Sequence, residues 1–196
     1  MERSFMKKFL MAILCLLILF GCSKEKQIVP DFSSGFELDT FDPNMTYYEG
    51  IGKGEHCFRQ IRVSELFRTV DEKGYGVFVL GYVNCPWCQA TMAHLNEVGL
   101  ELGVEIYYID AKSEEYPLSK EDFANLKKYL EPILMEDEEG VKSLYTPHVF
   151  SIIDGQFVNS QISITGNDNY DLENPSDEDV EWLKDIYREI LKPFVH

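Results

Sequence analysis

The sequence predicts an α/β fold in which helices pack on a central sheet, and three observations lead to this prediction. Residues 77–83 form an uninterrupted apolar run, which is typical of a strand buried on both faces. Apolar residues at helical spacing follow this run and recur at the end of the chain. Asp154-Gly155 separates two further apolar runs and predicts an antiparallel hairpin. Strands that alternate with helices indicate a layered α/β domain.

The helices on either side of the first apolar run are predicted from their end signals and apolar stripes. Ser64 is predicted to cap a helix that reaches about Glu72 and ends at Gly74. The helix after the run is predicted to end at Gly103. Its inward face is marked by residues spaced three and four apart, namely Cys88, Met92, Leu95, Gly99 and Leu102.

The second half of the chain continues the alternation of strands and helices. A second buried strand is predicted over 104–109, followed by a helix that Ser119 caps and Pro132 bends or ends. The acidic run 136–139 is predicted to be a solvated loop rather than a calcium site, because calcium loops alternate their ligands with other residues and a turn glycine. After the hairpin, Ser176 is predicted to cap the last helix.

The N-terminal residues predict export from the cytoplasm. Basic residues precede an apolar run over 9–20, which is shorter than the roughly 20 residues of a membrane-spanning helix but matches a signal-peptide core. The run ends at Leu19-Phe20-Gly21-Cys22, which resembles the lipobox of bacterial lipoprotein precursors. The resemblance implies a signal peptide over 1–21 and a lipid on Cys22 that anchors the extracytoplasmic protein to a bacterial membrane. A plain secretory signal with an incidental cysteine is the alternative.

The mature chain is predicted to be one domain on a tether. Residues 22–40 are polar and lack periodic apolar residues, so we expect a flexible tether there. Residues 41–196 form the domain, with an N-terminal extension over 41–60 that we assign only as irregular or short strands. The full sequence has a formal net charge of −16, which makes nucleic acid and anionic membrane surfaces poor partners.

Cys85-Pro86-Trp87-Cys88 is the motif that carries most chemical information. It follows the buried strand and opens the helix, whose N-terminus stabilises a thiolate. We expect Cys85 at the exposed end of this helix and Cys88 facing inward, where the pair can close a disulfide. The same spacing supplies half of a zinc or iron–sulfur site, but the other candidate ligands are scattered: Cys57, His56, His94, His148 and His196. The sequence therefore favours a redox dithiol and predicts no metal site.

Two of the scattered residues have alternative interpretations. Cys57 follows His56, and a buried free cysteine is favoured over a metal pair. His148 comes directly after Pro147, where it either packs on the hairpin strand or tunes the thiolate or ligates a metal.

From Ser64 to Phe194 the chain resembles the thioredoxin superfamily. The resemblance rests on the CPWC motif after a central strand, the helix behind it, and Thr146-Pro147 before the hairpin strand. It implies a thioredoxin-like three-layer α/β/α sandwich with a central mixed sheet, a helical insertion before the cis-proline strand, and a cis Pro147 facing the dithiol. Val79 stands where thioredoxins proper have a buried acid. The nearest likeness is to thioredoxin-like accessory proteins found with bacteriocin transport.

The resemblance implies a mechanism that needs no cofactor beyond the redox-active Cys85-Cys88 disulfide. The Cys85 thiolate attacks a partner disulfide, and Cys88 resolves the mixed disulfide. The backbone at Thr146 and Pro147 would pair with an extended substrate. Trp87 either contacts that substrate beside the sulfur or packs on the domain. The expected partners are protein thiols and disulfides, together with a membrane redox partner that recharges the dithiol.

Three functions are compatible with the sequence. The first is a membrane-tethered thiol-disulfide oxidoreductase for secreted or surface proteins, which requires both cysteines of the motif. The second is an accessory or binding module for an exported peptide or a transporter, in which the dithiol is secondary. The third is a copper metallochaperone that uses the dithiol and His148, although the two-residue spacing argues against it.

Overall fold

The computed structural model describes residues 29–196. The predicted signal peptide, the lipidation site Cys22 and the start of the predicted tether lie outside the described residues. The strands are β1 (Thr40–Phe41), β2 (Phe58–Ile61), β3 (Gly76–Gly81), β4 (Ile106–Asp110), β5 (Met135–Glu136), β6 (Lys142–Ser143), β7 (His148–Ile153) and β8 (Gln156–Ile162). The α-helices are α1 (Val63–Asp71), α2 (Pro86–Leu102), α3 (Lys120–Tyr129) and α4 (Asp177–Leu191). Within residues 29–196, no helix has the length and apolar character needed to cross a membrane.

The main sheet is mixed, and the strand before the dithiol lies near its centre. The strand order is β1-β2-β4-β3-β7-β8. β2, β4 and β3 run parallel, whereas β1, β7 and β8 pair antiparallel with their neighbours. The predicted hairpin is confirmed as β7 and β8, joined at Asp154 and Gly155. The acidic loop connects β5 and β6, which form a separate two-stranded sheet.

Two hydrophobic cores lie on opposite faces of the sheet, because β3 alternates between them. Val77 and Val79 belong to the dithiol-side core, which α2 and α4 cover. Phe78 and Leu80 belong to the far-side core, which α1 and α3 cover. The result is the three-layer α/β/α sandwich that the resemblance implies, with α3 as the helical insertion before β7.

Local capping sets some helix ends, and tertiary packing sets others. Ser119 and Ser176 each form the predicted capping box. The prediction that Ser64 caps the first helix is wrong, since α1 begins at Val63 without a side-chain cap. Val63 is itself buried in the far-side core, so packing rather than a cap determines where this helix starts.

The end of the predicted tether lies against the domain. A Cβ on Gly74 would come within 2.3 Å of the Phe36 ring, so the two residues are in close contact. The Arg68 guanidinium donates to the Glu37 carbonyl at 2.5 Å. β1 then joins the edge of the main sheet beside β2. Residues 36–41 are therefore held by the domain surface.

Candidate functional site

The CPWC motif occupies the turn between β3 and α2. Cys85 is the N-cap residue of α2, and Pro86 is its first residue, a position where the missing N–H would have no helical partner. The turn is closed by a hydrogen bond of 3.2 Å from the Cys85 N–H to the Tyr82 carbonyl. The dithiol therefore lies where the sequence predicts it, at the end of a buried strand and the start of a helix.

Thr146 and Pro147 lie directly against the dithiol. Their peptide bond is cis, as the resemblance implies. The Thr146 hydroxyl donates to the Cys85 sulfur at 3.5 Å, and the Cys85 thiol donates to the Thr146 carbonyl at 3.6 Å. The pairing of β7 with β3 brings this segment to the motif, across 61 positions of sequence. Two distant segments thus form one site.

The two thiols are free and differ in acidity. Burial alone would raise the pKa of Cys85, but its sulfur accepts hydrogen bonds from the Thr146 hydroxyl, from Cys88 and from the Trp87 N–H, so its pKa is lowered. Burial raises the pKa of Cys88 to about 12. Cys85 is therefore the thiol that ionises, and Cys88 remains protonated until it reacts.

Cys85 is less exposed than the sequence predicts. Its exposed fraction is 3%, and Cys88 is fully buried. The helix terminus would leave Cys85 open, but the Thr146-Pro147 segment covers it. Pro86 and Trp87 are the exposed residues of the motif, and 41% of the Trp87 surface is accessible. Thr146 therefore covers Cys85, and the motif meets solvent through Pro86 and Trp87.

The strand order, the dithiol at the start of α2 and the cis-proline opposite it together define the architecture. The fold is thioredoxin-like. A crystal structure of thioredoxin O2 from Arabidopsis thaliana in the oxidized state is similar, with a TM-score of 0.42 and 15% identity over 69% of this chain and 95% of that one. A protein proposed to be an oxidoreductase with a thioredoxin fold has a TM-score of 0.38 and 15% identity over 60% of this chain and 87% of its own. No protein-family model and no curated protein sequence matches the chain.

The N-terminal extension supports the dithiol of this thioredoxin-like domain from one side. The Gln89 amide, in the first turn of α2, donates to the carbonyls of Val83 and Tyr47 at 2.6 and 3.0 Å. Its oxygen accepts from the Glu49 N–H at 3.2 Å. A Cβ on Gly50 would lie 2.6 Å from a side-chain carbon of α2, so the extension packs tightly on the helix. Sequence reasoning missed this contribution, because the extension has no periodic pattern.

His148 lies on the opposite face of the sheet from the dithiol. Its ring packs edge-on against Phe150 at 5.3 Å between centroids, and its register partner is Leu80, both of the far-side core. The following residue, Val149, faces the dithiol-side core. His148 is fully buried, neither ring nitrogen has a hydrogen-bond partner within the described part of the chain, and burial lowers its pKa to about 4.

This placement separates His148 from the thiols by the sheet itself. The interpretation in which His148 tunes the Cys85 thiolate or completes a copper site with the dithiol is therefore wrong. Its position also explains the burial of the imidazole, because every second residue of β7, counted from His148, points into the far-side core. Across residues 29–196, no group of three or more His, Cys, Asp or Glu side chains is arranged to hold a metal ion.

Cys57 packs as a buried free cysteine in the dithiol-side core. A Cβ on Gly99 would lie only 2.3 Å from its sulfur, so Gly99 provides the space that the thiol fills. The Cys57 N–H donates to the Asn96 side chain at 3.0 Å. Burial raises the pKa of the Cys57 thiol to about 12, which makes this thiol much less reactive than that of Cys85.

Proposed function

We propose that this protein is a thiol-disulfide oxidoreductase that a lipid on Cys22 tethers to a bacterial membrane, and that it exchanges disulfides with secreted or surface proteins. The observation that carries the proposal is the placement of the two thiols. Cys85 is the N-cap of α2 with the cis Thr146-Pro147 segment against its sulfur, and Cys88 is buried in the first turn of the same helix. Cys85 has a lowered pKa at a helix N-terminus, whereas the pKa of Cys88 is raised to about 12. Disulfide exchange needs one thiol that ionises readily and a second that attacks only after the first has reacted.

In the reducing direction, the Cys85 thiolate attacks one sulfur of a partner disulfide. The partner S–S bond breaks, one partner sulfur leaves as a thiolate, and the other forms a mixed disulfide with Cys85. The Cys88 thiol then loses its proton and attacks the Cys85 sulfur, which closes the Cys85-Cys88 disulfide and releases the second partner thiolate. Two electrons pass from the dithiol to the partner, and the reverse sequence oxidises a partner dithiol.

The surface around the sulfur supports binding of an extended partner segment. Trp87 and Tyr145 are exposed aromatic residues, one in the motif and one next to Thr146. Aromatic rings provide apolar contact without a strong demand for one sequence, and the backbone at Thr146 offers hydrogen bonds to an extended chain. Such a surface fits a broad range of protein substrates.

The redox function is tested by equilibrating the protein in graded thiol buffers and counting free thiols by alkylation and mass spectrometry. We expect a Cys85-Cys88 disulfide in the wild type and in the matched control Cys57→Ser, and none in Cys85→Ser or Cys88→Ser. A potential near about −120 mV would indicate an oxidant, and one near about −270 mV a reductase. A wild-type protein that forms no intramolecular disulfide would refute the proposal and favour the accessory role.

The lipid anchor needs a separate experiment in cells. Wild-type protein is expected to incorporate labelled fatty acid and to fractionate with membranes, because a multi-chain anchor holds a protein stably where a single chain does not. Cys22→Ser is expected to lose both properties, whereas Cys15→Ser serves as the matched control. Label and membrane association that persist in Cys22→Ser would contradict a lipid on Cys22. A wild-type protein that takes up no label and does not fractionate with membranes would instead support a plain secretory signal.

A further inference from the structure

Cys88 must lose its proton before its sulfur can attack Cys85, and among residues 29–196 no fully buried carboxylate lies beside it to accept that proton. The Cys88 side chain is fully buried in the dithiol-side core. Within residues 29–196, none of the buried polar side chains is an aspartate or a glutamate. The proton therefore needs a route from the core to a group that can accept it.

Two buried tyrosines meet beside the Cys88 sulfur. The hydroxyls of Tyr48, from the N-terminal extension, and Tyr108, from β4, are 3.1 Å apart and hydrogen-bonded. Both side chains are buried. A Cβ on Gly81 would lie 3.3 Å from the Cys88 sulfur, 3.7 Å from the Tyr108 ring and 3.8 Å from the Tyr48 hydroxyl oxygen. The thiol and both tyrosines thus border the small volume that the missing Gly81 side chain leaves.

The tyrosine pair leads from this volume towards solvent. Tyr108 and Asp110 are two residues apart in β4, so they share a face of the sheet. Both line a cavity of about 550 Å³ next to the CPWC motif. Partial burial raises the pKa of the Asp110 carboxyl, which makes its carboxylate a better proton acceptor than a fully solvated one.

We propose that the Tyr48 and Tyr108 hydroxyls form a proton relay for the attack of Cys88 on Cys85, a role that rests on the proposed oxidoreductase function. The Cys88 proton crosses the volume beside Gly81 to one phenol oxygen. The hydrogen-bonded pair then releases a proton of its own, which the Asp110 carboxylate or water in the cavity accepts. The electron pair left on the Cys88 sulfur forms the bond to Cys85, and the partner sulfur leaves as a thiolate. The N-terminal extension thus supplies half of the relay.

The surrounding groups are consistent with a relay rather than with a phenolate base. Burial raises the pKa of both Tyr48 and Tyr108, so each phenol stays protonated at neutral pH. The titratable groups that face the pair are Cys88 from α2 and Asp110 from β4. Tyr187 from α4 also faces Cys88, but its hydroxyl is engaged with Thr91.

The relay is tested by stopped-flow reaction of the reduced protein with 5,5′-dithiobis(2-nitrobenzoate). The first release of thionitrobenzoate reports the attack of Cys85 on the reagent, and the second reports the attack of Cys88 on the mixed disulfide. Tyr48→Phe and Tyr108→Phe are expected to leave the first phase unchanged and to slow the second by about a hundredfold, the lower end of general acid–base contributions. The second phase should also become steeply faster with rising pH, because its rate then follows the thiolate fraction of Cys88.

Tyr170→Phe is the matched control. Tyr170 is a buried phenol of the same core, and its hydroxyl has no hydrogen-bond partner among the residues that the structure describes. We expect both phases of this variant to match the wild type. A wild-type second phase in both Tyr48→Phe and Tyr108→Phe would overturn the relay, as would equal slowing of both phases, which indicates a structural role. A wild-type protein without a second phase would instead refute the oxidoreductase function.

Discussion

The protonation of His148 should couple the stability of this protein to pH. The imidazole is fully buried among apolar residues, and burial lowers its pKa to about 4 in the folded protein. In the unfolded chain the pKa is about 6.5. The unfolded chain therefore binds the proton more tightly, so stability is fully present above about pH 6.5 and is lost as the pH falls towards 4.

The magnitude follows from the difference between the two pKa values. That difference is about 2.5, and each unit corresponds to about 1.4 kcal/mol, so about 3 kcal/mol of unfolding free energy should be lost across this pH range. His148→Leu keeps a side chain of similar volume in the far-side core but cannot titrate. At neutral pH we also expect this variant to be more stable by about 1 kcal/mol or more, because it removes two buried nitrogens without hydrogen-bond partners in the described structure.

Urea unfolding of the wild type and His148→Leu at neutral pH and near pH 4 measures this effect. The difference in unfolding free energy between the two proteins is the informative quantity, because the titration of carboxylates cancels in it. We expect this difference to grow by about 3 kcal/mol on acidification. His94, which is half-buried and whose pKa burial also lowers, gives the comparison variant His94→Leu, with a smaller change. A difference that stays constant with pH would refute the neutral, buried state of His148.

Four further substitutions, one of them a second change added to Gly99→Ala, test the site and the packing around it. Thr146→Val keeps the shape of Thr146 but removes the hydroxyl that donates to the Cys85 sulfur. The pKa of Cys85 should therefore rise and move the pH profile of its alkylation upward, and an unchanged profile would argue against this hydrogen bond. Gly99→Ala should lower the unfolding free energy by about 1–3 kcal/mol, because the new Cβ would lie 2.3 Å from the Cys57 sulfur. Adding Cys57→Ala to Gly99→Ala should restore most of the lost unfolding free energy, as measured by urea unfolding. If the two single changes instead add up in the double variant, the contact between position 99 and the Cys57 sulfur is contradicted. Ser176→Ala should lower stability by about 1 kcal/mol through loss of the α4 cap, and an unchanged urea midpoint would count against that role.

Features with local physical causes could be predicted from the sequence. The capping boxes at Ser119 and Ser176 need only residues three positions apart, and the hairpin turn needs only Asp154 and Gly155. The apolar run predicts the central strand β3, because a strand that is buried on both faces has apolar residues at successive positions. The place of the dithiol at the start of a helix followed from the same local signals.

β2 and the N-terminal extension could not be assigned in this way. Arg59 and Gln60 interrupt the apolar residues of β2, and the strand is defined by its parallel pairing with β4, far along the chain. Tyr48 lies in a segment without periodicity, and its hydroxyl partner is 60 positions away. A local sequence pattern cannot mark a hydroxyl whose hydrogen-bond partner is that distant.

The sequence by itself determined the class of fold, the thiol chemistry and the elements that carry it. Only the tertiary structure decided that Cys85 is covered by Thr146, that His148 faces away from the thiols, and that a tyrosine pair borders Cys88. The reason is physical. Strand runs, caps and turns are set by interactions between near neighbours in sequence, whereas burial, acidity and hydrogen-bond partners depend on which distant segments the folded sheet brings together.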